Sequence, residues 1–268
     1  MNTGDSANDQ ALSARPSQSA GTAQRDHPGA PVLEVLDIDV GYGDTQVLWD
    51  VSLAVGRGEV VALVGANGAG KSTLLATLSG LLRPWKGEIS FDGQRIDRMP
   101  AARIVARGLA HVPQGRRLFA ALSVEGNLKL GAYTRRAGSA QAIAEDLDRV
   151  YQLLPALAER RTQLAGSMSG GEQQMCAIGR GLMTRPELLL IDEMSLGLAP
   201  KVVDDLLNAI DTIHRQESLS FLLVEQDVQI ALERASHGYV IENGHIVASG
   251  PGAELLDSAQ VRAAYLGE

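Results

Sequence analysis

The sequence predicts an α/β protein whose core of strands and helices is interrupted by a helical insertion at about residues 116–185. Three observations lead to this fold class. Short apolar runs rich in β-branched residues recur from residue 32 onward, as expected of buried strands. A glycine-rich turn connects one of these runs to a helical segment. Between residues 124 and 161, the apolar residues instead follow helical spacing.

The strands are predicted from short apolar runs bounded by polar or turn residues. These runs occupy residues 32–40, 46–55, 59–64, 88–91, 109–112, 188–191 and 220–224. Near the C-terminus, Asn243-Gly244 separates two further runs, which predicts a hairpin with a two-residue turn. The insertion has one apolar helix face, formed by Ile143, Leu147, Val150, Tyr151 and Leu154.

The composition limits the functions that are possible. The chain has 268 residues, 45% of them hydrophobic, which suits a globular protein with a sizeable core. Its apolar runs are far shorter than the ~20 residues that cross a bilayer, so any membrane role is expected to be peripheral. The formal charge of −8 argues against general affinity for nucleic acid but does not exclude a local basic patch. The single cysteine, Cys176, fits a reducing compartment.

The first 30 residues differ from the rest of the chain. They are rich in Ser, Ala, Gly, Asp and Gln and contain almost no large apolar side chain. Such a segment buries too little surface to offset its conformational entropy, and it lacks the apolar stretch of a signal peptide. We therefore predict a disordered extension at residues 1–30, without a catalytic role, followed by one domain at residues 31–268.

The strongest chemical signal is the run Gly-Ala-Asn-Gly-Ala-Gly-Lys-Ser-Thr at residues 65–73. It follows an apolar strand and precedes a helix, and this context favours a phosphate-binding turn over an ordinary tight turn. Glycines let backbone amides approach an anion at the positive end of the helix dipole. Lys71 is expected to reach the β- and γ-phosphates, and the Ser72 hydroxyl to bind Mg²⁺. The predicted phosphate-binding residues are Gly65, Asn67, Gly68, Ala69, Gly70, Lys71, Ser72 and Thr73.

Two carboxylates, Asp192 and Glu193, follow the apolar run at residues 188–191. Taken alone, acidic residues after a strand are typical of a solvated loop. In open α/β sheets, however, ligands bind at the carboxyl ends of the strands. Together with the phosphate-binding turn, the pair predicts that Asp192 holds Mg²⁺ and that Glu193 polarises an attacking water.

A third signal is the run Ser169-Gly170-Gly171-Glu172-Gln173. Ser169 is predicted to cap the N-terminus of a helix. Glycine weakens a helix, so Gly170 and Gly171 need a further reason. Close approach of an anion to their backbone amides would supply it.

These three signals together resemble the ATP-binding cassette family of transport ATPases, and the similarity runs from about residue 32 to the C-terminus. The middle signal at residues 169–173 is nearly specific to that family. The resemblance implies a RecA-like P-loop core with a mostly parallel sheet, an N-terminal antiparallel β subdomain and an inserted α-helical subdomain. It also implies that two cassettes pair head to tail. The ATP of one cassette would then be covered by Ser169, Gly170 and Gly171 of the other.

The resemblance assigns further roles residue by residue. Tyr42 matches the aromatic residue that stacks on adenine. Gln114 matches the glutamine that contacts Mg²⁺ and the attacking water, beside the surface that meets the membrane subunits. In the loop that joins the two sites across the dimer, Ala199 stands in place of the usual acidic residue. The implied cofactors are ATP and Mg²⁺, with the metal held by Ser72, Gln114 and Asp192.

Gln226 departs from the family pattern. Most relatives carry histidine just after the strand at residues 220–224, where it contacts the γ-phosphate. Glutamine can donate a hydrogen bond at that place but cannot titrate near neutral pH. Hydrolysis would then be slow or would depend mainly on Glu193. The catalytic residues implied are Glu193, Gln114, Gln226 and Lys71.

Within the family, the chain resembles the second, shorter ATPase subunit of branched-chain amino acid importers. The similarity rests on residues 167–175, 195–200, 224–226 and 261–267, although many members have glutamate where Gln114 stands. The resemblance implies an ATPase on the cytoplasmic face of a bacterial inner membrane. Its implied partners are a sister ATP-binding subunit in a hetero- or homodimer, two membrane permeases and an extracytoplasmic solute-binding protein, with no nucleic acid.

Three alternatives stay open from the sequence. Urea or amide importers contain a close relative with a similar Glu-Gln pair at the position of Glu225 and Gln226. A nucleotide-gated structural subunit with weak hydrolysis would fit Gln226 and Ala199. Cassette ATPases that act on nucleic acid or ribosomes usually have two cassettes in one chain or a long insertion, and this sequence shows neither.

Overall fold

The computed structural model describes residues 30–135 and 140–263. The predicted N-terminal extension, up to residue 29, and the end of the C-terminal tail lie outside these residues. Within them, an antiparallel sheet and a mostly parallel sheet pack together with helices. This arrangement confirms the predicted α/β fold class with its antiparallel N-terminal sheet.

Strands and helices alternate along most of the chain. The strands are β1 (Leu33–Tyr42), β2 (Thr45–Val55), β3 (Val60–Val64), β4 (Lys86–Phe91), β5 (Gln94–Arg95), β6 (Leu109–Val112), β7 (Leu188–Asp192), β8 (Ser220–Glu225), β9 (His237–Glu242) and β10 (His245–Gly250). The helices are α1 (Lys71–Leu78), α2 (Ala101–Ala106), α3 (Val124–Gly131), α4 (Ala140–Leu153), α5 (Pro155–Ala158), α6 (Gly170–Leu182), α7 (Pro200–Glu217), α8 (Val228–Leu232), α9 (Gly252–Asp257) and α10 (Ala259–Val261).

The two sheets have different strand directions. The N-terminal sheet has the order β2-β1-β4-β5, and its neighbouring strands are antiparallel. The second sheet has the order β10-β9-β3-β8-β7-β6; its last five strands run parallel, and β10 pairs antiparallel with β9. Because the carboxyl ends of parallel strands share one edge, the residues that follow β3, β6, β7 and β8 meet there.

The central strands of the parallel sheet are covered on both faces. Every residue of β3, β7 and β8 is buried, which explains the continuous apolar runs at residues 60–64, 188–191 and 221–224. One cluster joins the sheet to α6 and α7 through residues such as Ile178, Leu206 and Phe221. A second cluster joins it to α1 and the antiparallel sheet through Leu74 and Ile38. The sheet is therefore a rigid support for the residues at its edge.

The predicted hairpin forms between β9 and β10. Asn243 and Gly244 have φ angles of 48° and 82°, the left-handed values that an Asn-Gly turn adopts readily. A Cβ on Gly244 would lie 2.0 Å from the carbonyl oxygen of Val47, so only glycine lets this turn approach β2. Gly244 also accepts a hydrogen bond from the Trp49 N–H at 3.0 Å. The hairpin thus connects the two sheets.

Strands β1 and β4 extend beyond the runs that predicted them. β1 continues to Tyr42, which pairs with Thr45, and β4 begins at Lys86, which pairs with Asp39. Backbone pairing at a solvent-facing strand end does not need apolar side chains. Hydropathy alone therefore placed these ends too far inside the sheet.

Helices α3 to α6 lie between β6 and β7. The predicted helical stretch is divided, because α4 ends at Leu153 and Pro155 occupies the first turn of α5. Leu147 and Val150 of α4 are buried, in line with the predicted apolar face. The assignment of residues 116–185 to a separate subdomain stays a prediction. Among the residues described, no helix has both the length and the apolar character that crossing a membrane requires.

Candidate functional site

The glycine turn connects the buried end of β3 to the N-terminus of α1. Gly68 and Gly70 have φ angles of 83° and 109°, which residues with a Cβ rarely adopt. A Cβ on Gly65 would lie 2.3 Å from the carbonyl oxygen of Ile241 in β9. Glycine is therefore required at one position by close packing and at two by backbone conformation. Among the other predicted residues of the turn, Asn67 is exposed, and Ala69 and Thr73 are buried.

Lys71 lies inside the turn and is almost completely buried, with 4% of its side chain exposed. Its ammonium group donates hydrogen bonds to the carbonyl oxygens of Gly65 at 2.7 Å and Ala66 at 3.1 Å. It also lies 3.2 Å from the carboxylate of Glu193. A buried lysine that keeps its charge needs such partners. The contacts fix one positive charge where β3 ends.

Glu193 is held from a second direction by Gln114. The Gln114 amide donates a hydrogen bond of 2.7 Å to one carboxylate oxygen, while Lys71 contacts the other. The backbone of Glu193 has a φ angle of 42° and donates its N–H to the carbonyl oxygen of Val224 at 2.8 Å. Residues from the ends of three strands therefore immobilise one carboxylate. Sequence analysis predicted each of these side chains separately, and the structure brings them together.

Asp192 is buried beside this group. Burial, together with the neighbouring Glu193 carboxylate, raises the pKa of Asp192 to about 6, while Lys71 opposes the rise. Its Oδ1 atom is buried and has no hydrogen-bond partner among the described residues. A buried carboxylate oxygen without a partner is an unfavourable arrangement that a cation would relieve.

The residues around Asp192 fit a magnesium ion. Ser72 is exposed at the start of α1, and Gln114 follows β6 at the same sheet edge. The described residues contain no cluster of three or more His, Cys, Asp or Glu side chains that could enclose a metal. Mg²⁺ does not need one, because it usually takes one or two carboxylates and completes its shell with water and substrate phosphates.

Tyr42 is the last residue of β1, and 53% of it is exposed. Its hydroxyl lies 3.5 Å from the hydroxyl oxygen of Thr73, in the first turn of α1. An exposed aromatic ring therefore stands beside the glycine turn. This position suits the predicted stacking on a nucleobase.

The segment at residues 169–171 begins α6 at the surface. The exposed Ser169 forms a capping box with Glu172, whose carboxylate accepts the Ser169 N–H at 2.9 Å. The hydrogen bond from the Ser169 backbone is the main reason that the pKa of Glu172 is lowered. Among the described residues, no hydrogen bond links this segment to the glycine turn. Within one chain, the two regions are therefore separate.

The structure gives a different reason for one of the two glycines in this segment. Gly171 is buried, and a Cβ there would lie 2.2 Å from a methyl group of Val202 in α7. Packing within the chain thus already requires glycine, without an anion. At Gly170 a Cβ would also be too close, at 2.9 Å from Leu198 and 3.0 Å from Arg116, but both contacts are with the ends of side chains that can move.

Arg180 connects α6 to the loop that carries Gln114. Its guanidinium donates hydrogen bonds to the carbonyl oxygens of Arg117 at 2.8 Å and Arg116 at 3.2 Å. Both loop residues have positive φ angles, 46° and 65°, so this backbone is held in an uncommon conformation. Arg180 thus links helix α6 to the loop that carries Gln114, the residue that contacts Glu193.

Gln226 and its neighbour Glu225 have opposite environments. Gln226 is exposed, and its side chain forms no hydrogen bond with the described residues. Glu225 is buried and accepts hydrogen bonds from Ser195, from the hydroxyl at 2.7 Å and from the N–H at 3.1 Å. Burial raises the pKa of Glu225. Sequence analysis gave Glu225 no role of its own; the only signal was a carboxylate directly after a fully apolar strand.

Comparison with known proteins places this geometry in a family. The sequence profile of the ABC transporter family matches residues 48–195, more than half of the chain. The high-affinity branched-chain amino acid transport ATP-binding protein BraG of Pseudomonas aeruginosa is 48% identical over 226 residues, covering 84% of this chain and 95% of that protein. The protein BraF of the same organism, described in the same words, is 32% identical and covers 89% of this chain and 98% of its own length.

A solved structure agrees with these sequence relations. The ADP conformation of an ATP-binding cassette from an ABC transporter superposes with a TM-score of 0.79 and 27% identity. The superposition covers 90% of this chain and all of that one. Sequence profile, relatives and fold lead to the same conclusion: the chain belongs to the ABC transporter family and is one of its ATP-binding ATPase subunits.

Proposed function

We propose that this chain hydrolyses ATP within a bacterial importer and thereby energises uptake of branched-chain amino acids or related small polar solutes. The observation that carries the proposal is the Glu193 carboxylate held by Lys71 and Gln114 beside the glycine turn. A phosphate-binding turn, a fixed cation and an immobilised carboxylate are the components that phosphoryl transfer to water needs.

The turn at residues 65–73 binds the triphosphate through backbone N–H groups at the start of α1, where the helix dipole favours negative charge. Lys71 contributes a cation that is already desolvated and positioned, so it stabilises charge on the transferred phosphoryl group without reorganisation. The ring of Tyr42 stacks on adenine. The positions of the turn, Lys71 and Tyr42 are consistent with the predicted nucleotide site.

Ser72, Asp192 and Gln114 are the residues that would hold Mg²⁺. When bound, Mg²⁺ offsets the charge of the phosphate oxygens and fixes their orientation. The partnerless Oδ1 of Asp192 and the exposed position of Ser72 support this assignment.

Glu193 acts as the base for the attacking water. The water oxygen forms a bond to the γ-phosphorus as the bond to the β-phosphate oxygen breaks, and Glu193 accepts the proton that the water loses. Gln114 keeps the carboxylate in place and orients the same water. The products are ADP and inorganic phosphate.

A second cassette completes the site. Ser169 and Gly170 are accessible at the surface, and no hydrogen bond within the described residues joins them to the turn of their own chain. The start of this 13-residue helix, where the helix dipole favours negative charge, suits a phosphate presented by another subunit. We infer a head-to-tail dimer with a sister ATP-binding subunit or with a second copy.

The membrane-facing partners are two permeases with an extracytoplasmic binding protein, which places the chain at the cytoplasmic face of the inner membrane. Large apolar side chains are exposed around α3, close to the Gln114 loop, and they would meet a permease. These residues are Phe119, Leu122, Leu130 and Tyr133.

The solute is inferred from the relatives. BraG and BraF are both described as branched-chain amino acid transport proteins, and the chain is more similar to BraG, at 48% identity, than to BraF, at 32%. This difference favours the second ATPase subunit of such an importer. Urea and amides stay as alternative solutes.

The proposal is tested on the intact transporter. The chain is tagged in its own host and purified in mild detergent, and its ATPase activity is measured in the reconstituted complex with the binding protein. We expect stimulation by leucine, isoleucine or valine and none by urea or acetamide. Stimulation by urea or acetamide alone would reassign the solute. A complex that contains no permease would contradict the importer assignment.

A second candidate is a subunit that binds nucleotide but scarcely hydrolyses it. The exposed Gln226 favours this candidate, since the side chain that usually contacts the γ-phosphate is replaced. Single-turnover hydrolysis in a complex whose sister subunit lacks its catalytic carboxylate separates the two candidates. Hydrolysis at the remaining site supports an active ATPase, and its absence supports the structural subunit.

A further inference from the structure

Glu172 places a negative charge at the start of α6, where the proposed function puts the phosphate of a second cassette. Its carboxylate oxygen Oε2 accepts both donors of Ser169, the backbone N–H at 2.9 Å and the hydroxyl at 2.9 Å. The bond from the backbone and then the bond from the hydroxyl favour the charged form and lower the pKa of Glu172. Glu172 is therefore an anion within hydrogen-bond distance of the residue that would contact the phosphate.

This arrangement opposes phosphate binding in two ways. Two like charges a few ångströms apart repel each other, and they do so most strongly where a second subunit excludes water. In addition, the Ser169 hydroxyl has a single proton, which it donates to Glu172 instead of outward. A capping box on a helix that faces only solvent meets neither obstacle. Both arise here because this helix start is expected to receive an anion.

Arg160 offsets the charge of Glu172. Its Nε atom lies 2.6 Å from Oε1, the carboxylate oxygen that Ser169 does not use. The side chains of Arg160 and Glu172 are 34% and 25% exposed, so the pair is partly withdrawn from solvent. Arg160 also contacts Glu159 at 3.3 Å, but that carboxylate is 77% exposed and better hydrated. The main partner of Arg160 is therefore Glu172.

The Arg160 side chain is fixed by parts of the chain outside α6. It follows α5, and its guanidinium donates a hydrogen bond of 3.4 Å to the carbonyl oxygen of Ala156 in that helix. The carbonyl oxygen of the next residue, Arg161, accepts the N–H of Glu125 in α3 at 3.0 Å. Two helices thus support the segment that carries this cation, so its charge stays beside Glu172.

We propose that Arg160 is a positioning residue for the composite site: it neutralises Glu172, so that the segment at residues 169–171 can accept the triphosphate bound by the other cassette. This role rests on the proposed head-to-tail dimer, and Arg160 itself contacts no nucleotide. As the phosphate arrives, the Ser169 hydroxyl turns towards it, and Arg160 keeps the Glu172 carboxylate paired. Hydrogen bonds are exchanged in this step, and no covalent bond is formed or broken.

The test compares charge variants in the reconstituted transporter. Arg160→Gln leaves the Glu172 charge uncompensated, so the ATP concentration for half-maximal hydrolysis should rise by on the order of 10-fold. The Kd of the isolated chain for ATP should not change, because its own turn is untouched. Glu172→Gln removes the charge, and its amide oxygen can still cap Ser169, so this variant should match the wild type or need less ATP. The double variant should then regain most of the loss, because no charge is left to neutralise.

Two further variants and added salt sharpen the comparison. Arg160→Lys keeps the charge and should keep the ATP dependence of the wild type. Arg149→Gln is the matched control: Arg149 pairs with Glu217 at 2.5 Å in a similarly exposed ion pair and binds the opposite end of α6, through the carbonyl oxygen of Leu182. It should leave the ATP dependence unchanged. Added salt should reduce the defect of Arg160→Gln, because it screens the uncompensated charge.

The outcomes separate this inference from the proposed function. A double variant as defective as Arg160→Gln would overturn the inference, because the pair would then matter for its structure and not for its charge. Wild-type ATP dependence in Arg160→Gln would overturn it too, and would leave the proposed dimer intact. Hydrolysis by the isolated wild-type chain as a monomer, at the rate of the transporter, would overturn the dimer and this inference together. Circular dichroism checks that each variant is folded.

Discussion

The glycine turn at residues 65–73 and the segment at residues 169–171 differ in how complete they are within one chain. At the turn, Lys71 and Gln114 both contact the Glu193 carboxylate, at 3.2 Å and 2.7 Å. At the segment, Ser169 is exposed, and the side-chain hydrogen bonds that it forms with the described residues are those of its own helix cap. One region is preorganised for chemistry, and the other presents a helix start to the outside. The contrast shows that the catalytic groups are already assembled within one chain. A second subunit is needed to cover the nucleotide.

The largest expected effect tests the preorganised region. Glu193→Gln keeps the shape of the side chain but removes the proton acceptor, so hydrolysis should fall by on the order of 10³-fold. ATP affinity should be retained. Phosphate release and calorimetric binding measure the two quantities. Glu187→Gln is the matched control, since Glu187 lies at the opposite end of the same strand and pairs with Arg57. Full turnover by Glu193→Gln would disprove its role as the base.

The next effect tests the region that faces outward. Ser169→Ala should lower hydrolysis by the assembled transporter by on the order of 10-fold or more, because a contact to the phosphate is lost. The affinity of the isolated chain for ATP should not change. The substitution also removes a helix cap worth about 1 kcal/mol. Ser123→Ala controls for this, because Ser123 caps α3 by the same kind of bond, at 3.0 Å. Equal losses in both variants would reduce Ser169 to a capping residue.

A smaller effect concerns pH and magnesium. Burial raises the pKa of Asp192 to about 6, so the folded state favours the protonated form. Metal binding needs the ionised form, and Mg²⁺ affinity should therefore fall about tenfold for each pH unit below about 6. The same shift makes the contribution of Asp192 to stability favourable at low pH, and this contribution is lost as pH rises towards 6. Titrating Mg²⁺ against bound nucleotide at several pH values measures the slope. Asp192→Asn should abolish it, and an unchanged slope would exclude Asp192 as the ligand.

The smallest effect is expected for Gln226→His. Gln226 is exposed and forms no side-chain hydrogen bond within the described part of the chain, so stability should change by less than about 0.5 kcal/mol. The hydrolysis rate should hold or rise, since histidine restores the residue most relatives use. Steady-state ATPase assays of the transporter check this. A large loss would show that glutamine has a specific role of its own.

The central strands could be predicted from sequence because complete burial leaves an unbroken apolar run, as in β3, β7 and β8. Lys71, Glu193 and Gln114 could also be predicted, but only one by one. Their mutual contacts depend on the order of strands in the sheet, which brings together positions far apart in the chain. The sequence therefore predicted the chemical role of each residue, but not the contacts between these residues.

Two features could not be predicted, for a shared physical reason. Gly171 is required by Val202, 31 residues later, and not only by an anion. The buried Glu225 accepts hydrogen bonds from Ser195, 30 residues earlier. In both cases the decisive neighbour is distant in sequence, and neither a glycine nor a carboxylate at a strand end reveals it locally.

Because of the two hydrogen bonds from Arg180, the two ends of α6 are linked to different functional regions. One end of the helix carries the serine that a sister subunit would engage, and the other end grips the backbone two and three residues beyond Gln114. A tilt of the helix would shift the amide that steadies Glu193. Contact of a sister subunit with Ser169 is thereby coupled through α6 to the position of the catalytic carboxylate.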